Sequence, residues 1–130
     1  MSKIYISYKQ SGVSEKELEK NLKILRKEIE SLWNETFVYF LDADSEKPAD
    51  DLVEIFKSEI KSSDLFFCFI NHKKPSEWQL LELWMAYSMN KQIILYVNED
   101  IKDNYYLTYW MADYIFYFKN LKKDLKKILS

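Results

Sequence analysis

The 130-residue sequence predicts an α/β three-layer sandwich built on a five-stranded parallel sheet, with residues 1–130 forming a single domain. Three observations carry this expectation. Five short runs rich in β-branched and aromatic residues recur along the chain: KIYIS, FVYFL, DLFFCFI, QIILYV and YIFYF. The stretches between them place apolar residues at helical spacing, and strand alternating with helix selects a parallel sheet with right-handed crossovers. Two of the runs, FVYFL and DLFFCFI, are apolar without interruption, as strands covered on both faces are.

Residues 3–7 (KIYIS) form the first expected strand, followed by a loop from Tyr8 to Gly12. Ser14 with Glu17 reads as a capping box, and Val13 with Leu18 as its hydrophobic staple. Leu18, Leu22, Leu25, Ile29 and Leu32 then repeat at intervals of four and three, which predicts an amphipathic helix ending near Trp33. Residues 37–41 are the second expected strand, and the acidic loop from Asp42 to Glu46 follows it. Pro48 suits a first helical turn, and Leu52, Ile55, Phe56 and Ile60 give that helix its buried stripe. Residues 64–70 are the third and most apolar strand, holding Cys68 as a packed small hydrophobe. Residues 92–97 and 114–118 are the fourth and fifth strands. A short helix is expected over 105–111, and another over 121–129 closes the chain. A flavodoxin-like strand order, 2-1-3-4-5, follows as the default for such a pattern.

The helix between the third and fourth strands is unlike the others. Ser76 with Gln79 reads as its capping box and the residue before it is Pro75, so it is expected from Ser76 to about Asn90. At about 100° per residue, Glu82 falls among Trp78, Met85, Ala86 and Met89. A carboxylate in such company is costly unless it works or is satisfied by an amide, lysine or tyrosine. In open parallel sheets ligands bind beyond the carboxyl ends of the strands, where the strand order switches. That edge is expected to hold Tyr8 to Gly12, Asp42 to Glu46, Asn71 to Ser76 and Asn98 to Asp103, with Glu82 within reach.

Composition narrows the function classes. One glycine in the whole chain, Gly12, rules out glycine-rich phosphate loops and dinucleotide fingerprints. A net charge of −2 gives no general attraction to nucleic acid, and the C-terminal lysines read as solvated helix residues. One histidine, His72, and one cysteine offer no metal-ligand set, so no metal and no bound cofactor are expected. The lone cysteine also fits a reducing compartment. No apolar run approaches a membrane span and the start of the chain lacks a leader's pattern, which predicts a cytoplasmic protein.

The opening KIYISYKQSG, the stretch IKSSDLFFCFI, the segment ELWMAYSMNKQIILYV and the run MADYIFYF together resemble the nucleoside 2-deoxyribosyltransferase-like family over nearly the whole chain. The resemblance implies an enzyme that cleaves or transfers at the N-glycosidic bond of a nucleoside or nucleotide, assembled as a homo-oligomer. It also implies that Glu82 is the nucleophile attacking the anomeric carbon. Three positions depart from the family's pattern. Ser76 and Phe56 stand where it has aspartates, and Trp84 where it has a glycine, a position at which a large side chain is expected to crowd a bound sugar. The chain is also similar to TIR-like domains through SEWQLLE, ending at Glu82, through YISY and through VYFLDADSEKPADDL. That second resemblance implies cleavage of NAD, as substrate rather than cofactor, to make a signal in antiviral defence.

Both resemblances imply one chemical task, breaking a ribose–base bond through an oxocarbenium-like transition state that a facing carboxylate stabilises or captures. Around Glu82 the candidate substrate-binding residues are Tyr8, Asp42, Asp44, Ser76 and Trp78. Asp42 and Asp44 are either acids for a departing purine or turn residues. Ser76 is a helix cap or a sugar ligand, Trp78 a core residue or a stacking wall, and Tyr8 a hydrogen-bonding or a packing group. A module that binds a nucleotide without turning it over is the non-enzymatic alternative. Ten tyrosines and a helix apolar on several sides exceed what one small sheet covers, which also points to self-association.

Overall fold

The computed structural model describes residues 2–10, 12–32, 34–43, 48–72, 74, 76–98, 100, 110–120, 123, 126 and 127. The expected helices over 105–111 and 121–129 therefore lie largely outside the described residues. In chain order the elements are β1 (Lys3–Ser7), α1 (Glu15–Glu30), β2 (Glu35–Phe37), α2 (Tyr39–Asp42), α3 (Ala49–Ser62), β3 (Leu65–Ile70), α4 (Glu77–Ser88), β4 (Gln92–Val97) and β5 (Tyr114–Tyr117). The strands form one sheet in the order β2-β1-β3-β4-β5, and every neighbouring pair is parallel. The flavodoxin-like three-layer α/β architecture is thus the observed one.

The two faces of the sheet are read off alternate residues. Ile4 and Ile6 of β1, Phe67 and Phe69 of β3 and Ile94 of β4 pack with Leu18, Leu22, Leu25 and Ile29 of α1. Their neighbours Tyr5, Phe66, Cys68, Ile70, Ile93 and Leu95 face α3 and α4 instead, against Phe56, Ile60, Leu83 and Ala86. Every residue of β3 is buried, as its unbroken apolar run predicts for the central strand. Cys68 is buried with it. Among the described residues no helix is long and apolar enough to cross a membrane.

The second strand differs from expectation. It covers only Glu35–Phe37, pairing Lys3 with Glu35, Ile4 with Thr36 and Tyr5 with Phe37 along one edge of the sheet. The rest of the expected strand is the one-turn helix α2. Asp42 sets that turn, because its carboxylate accepts the Val38 N–H at 2.8 Å and a hydrogen bond from the Arg26 guanidinium of α1. The run FVYFL is apolar because the turn crosses the rim of the sheet. Val38, Phe40 and Leu41 pack with the α1 side, whereas Phe37 and Tyr39 pack with the α3–α4 side.

At its start α4 has the expected cap, with the Ser76 hydroxyl accepting the Gln79 N–H at 3.3 Å. It closes through Asn90, whose φ of 58° places a non-glycine residue in the left-handed region just past the helix.

Candidate active site

Helix α4 is inverted in polarity. The stripe it presents to the sheet is Gln79, Glu82, Leu83 and Ala86, all buried, so half of that stripe is polar. Its outer face carries Leu81, Trp84 and Tyr87 in solvent. Burying two polar side chains requires partners, and β1 and β3 supply them. The Gln79 amide donates to the Phe69 carbonyl at 2.8 Å and to the Ser7 carbonyl at 3.4 Å, rather than reaching back to complete the capping box. Gln79→Leu is expected to remove both hydrogen bonds and to cost about 1–3 kcal/mol in urea unfolding. An unchanged midpoint would show that the amide does not tie the strand ends together.

Glu82 is held by β1. The Tyr5 hydroxyl donates to Oε2 and the Ser7 hydroxyl donates to Oε1 at 3.2 Å. The Tyr5 ring is fixed in turn by stacking on Phe66, with centroids 5.5 Å apart, and by contact with Phe37 at 5.6 Å. Burial pushes the Glu82 carboxyl up to about 8, against the downward pull of the two hydroxyl hydrogen bonds. The folded protein therefore holds a protonated acid here at neutral pH, available to ionise near pH 8. Burial and then the Glu82 charge raise the Tyr5 and Tyr8 hydroxyls and the Cys68 thiol, so these stay protonated.

Glu82 opens onto a cavity of about 120 Å³ lined by Tyr8, Gln10, Tyr39, Leu52, Phe56, Ser76, Trp78 and Glu82. It lies past the carboxyl end of β1 on the α3–α4 side, where the order turns from β2-β1 to β3, as expected for this architecture. Phe56 is the hub of its walls. Tyr39 meets Phe56 edge-on at 5.4 Å and 86°, and Trp78 does so at 5.9 Å and 87°. A phenyl group stands here, where the resemblance leads one to expect a second acid.

Four of the six candidate residues converge here: Glu82, Tyr8, Ser76 and Trp78 all line the cavity. Asp42 does not. Its carboxylate is committed to Arg26 and the Val38 amide, within α2 rather than in a loop. Asp44 lies outside the described residues. Trp84, expected to crowd a bound sugar, has 55% of its surface exposed and is not among the described residues that line the cavity. The sequence reading missed Tyr5, Ser7 and Tyr39. Strand periodicity could have put Tyr5 and Ser7 on one face of β1, but not Glu82 opposite them, 77 and 75 positions away.

No family profile and no curated protein matches the chain. Solved structures do. A CMP N-glycosidase (BcmB) from Clostridium botulinum is 19% identical with a TM-score of 0.69, over 97% of this chain and 96% of that one. A 2-desoxiribosyltransferase from Leishmania mexicana is 15% identical with a TM-score of 0.63, over 76% and 66%. A response regulator receiver domain from Clostridium thermocellum is 14% identical with a TM-score of 0.60, over 98% and 93%. The chain has a nucleoside 2-deoxyribosyltransferase-like fold, within the wider architecture that receiver domains share.

Proposed function

We propose that this protein cleaves, or transfers across, the N-glycosidic bond of a nucleoside or nucleotide, with Glu82 facing the anomeric carbon. The observation that carries the reading is a buried, tethered carboxyl at the floor of an aromatic cavity on the ligand-binding edge of the sheet. The N-glycosidase and deoxyribosyltransferase among its structural neighbours support it. In the first step the ionised Glu82, its proton lost to solvent, bonds through one oxygen to the anomeric carbon while the electron pair of the glycosidic bond leaves with the base. The base takes a proton from solvent unless it already carries a positive charge. Water or a second base then attacks the same carbon and frees the carboxylate, as in retaining glycosidases. Tyr5 and Ser7 keep both oxygens oriented, and Trp78 offers a face on which a ring can stack.

The test is chromatographic. The protein is incubated with a panel of nucleosides, deoxynucleotides and NAD, with and without an acceptor base, and released base is followed. Release or exchange that disappears in Glu82→Gln is the expected result. No release from any substrate, while one of them still raises the melting temperature, would overturn catalysis in favour of a silent binding module.

One observation favours a second reading, TIR-like cleavage of NAD. Among the described residues of the cavity Glu82 is the only carboxyl, so none of the others is a carboxylic acid that could protonate a departing purine. Nicotinamide leaves NAD as a neutral base and needs none. Nicotinamide release in the same panel selects this reading.

We also propose that copies of the chain meet through the outer face of α4. Trp84 contacts Tyr87 at 6.0 Å, and Tyr87 contacts Trp110 at 6.3 Å, with Leu81 beside them. A run of exposed rings this long is unusual on a monomer. Size-exclusion chromatography with light scattering is expected to give a dimer or larger, and Trp84→Glu a monomer. A monomeric wild type at tens of micromolar would remove the proposal.

A further inference from the structure

The cavity has the composition of a cation site. Tyr39 and Trp78 each stand nearly perpendicular to Phe56 in its wall, and aromatic rings attract cations through the negative quadrupole of their faces. Glu82 sits among them, and its partners are two hydroxyls rather than a lysine or arginine. No cationic side chain is among the described residues that line the cavity. A buried carboxylate with no counter-charge is costly, so Glu82 keeps its proton at neutral pH.

Resting on the N-glycosidic reading, we propose that the cavity selects nucleosides whose base already carries a positive charge, an N-alkylated heterocycle, over their neutral counterparts. The ligand then supplies a counter-charge that none of the described lining residues offers. A cation beside Glu82 draws its carboxyl down from about 8, and the proton leaves to solvent as the ligand enters. Burial keeps the facing Tyr5, Tyr8 and Cys68 protonated throughout, while Ser7 and the Gln79 amide carry no charge. Net charge is conserved: a neutral acid and a cation become a carboxylate–cation pair and one free proton.

The same charge solves the departure of the base. When a Glu82 oxygen bonds to the anomeric carbon, the glycosidic electron pair collapses onto the cationic ring nitrogen, and the base leaves neutral with no proton donor. A neutral base would need a proton, and among the described residues of the cavity the one carboxyl to give it is Glu82, which could not then attack as a carboxylate. A volume of about 120 Å³ admits one ring, so a monocyclic base or the sugar enters while the remainder stays at the mouth.

Calorimetric titration of the full chain at pH 7 tests this, run in two buffers of different ionisation enthalpy. The probes are 1-methylnicotinamide against nicotinamide, and 7-methylguanosine against guanosine. The charged member of at least one pair is expected to bind at least about tenfold tighter and to release close to one proton. In Glu82→Gln the ratio is expected to fall to within about threefold and proton release to vanish. Neutral probes binding as well as charged ones, a charge preference that survives in Glu82→Gln, or no binding of any probe would each overturn the proposal. Base release from neutral deoxynucleosides without a charge preference would leave the N-glycosidic reading standing and remove this one. Charge-selective binding with no base release from any substrate would do the reverse.

Discussion

Glu82→Gln is expected to abolish base release and, in the same protein, to make the fold more stable. Activity falls by at least about 10³-fold, because the amide can neither bond to the anomeric carbon nor carry the charge that stabilises it. Stability rises because the carboxyl's ordinary value of 4.5 is pushed to about 8 by burial. Between those two values the unfolded chain is ionised at this position and the folded one is not. Its contribution is thus complete below pH 4.5, is lost as pH rises, and is gone above pH 8. Glutamine keeps the shape, still accepts a hydroxyl hydrogen bond and never ionises. The variant is therefore expected to match wild type near pH 4 and to exceed it by about 4 kcal/mol at pH 8, roughly 15 °C in melting temperature. Thermal unfolding from pH 4 to 9 reads this directly. Parallel curves for the two proteins would mean that Glu82 titrates at an ordinary value and is not poised by its surroundings.

Tyr5→Phe is expected to move the pH dependence and spare the fold. The ring packs on Phe66 and Phe37, and phenylalanine keeps those contacts. The hydroxyl's hydrogen bond lowers the Glu82 value, so losing it raises that value further above 8. The acidic limb of kcat/KM is expected to shift upward by about one pH unit, which costs about tenfold in activity at pH 7 and much less at pH 9. A uniform loss across the pH range would instead show that Tyr5 contacts the substrate, and an unchanged profile that it contributes packing alone.

The architecture was legible because it rests on patterns that the chain repeats. Alternate residues of β1, β3 and β4 face different helices, and a sequence with that alternation between amphipathic helices admits few sheet orders. Glu82 was legible for the opposite reason, as the break in an apolar helix. What the sequence hid was everything that depends on a partner far along the chain. FVYFL has the composition of a strand, but the strand stops where Asp42 finds Arg26 and the Val38 amide, a tertiary event with no local trace. Trp84 stands two positions from the glutamate and looks like an obstacle to a substrate. A two-residue step on a helix turns about 200°, which carries it to the far side. Phe56 shows the limit of resemblance. The position lines the cavity, but as an aromatic wall rather than an acid.

Cys68 gives the molecule an internal clock. Its sulfur lies in the central strand with about 1% of the residue exposed, on the same side of the sheet as Glu82, and burial holds the thiol in its unreactive form. A thiol reagent can reach it only when that strand opens, so the labelling rate counts openings rather than surface encounters. A ligand that occupies the closed cavity slows the count by the factor 1 + [L]/Kd. The chain thereby reports binding through its own chemistry, with no dye attached and no turnover required.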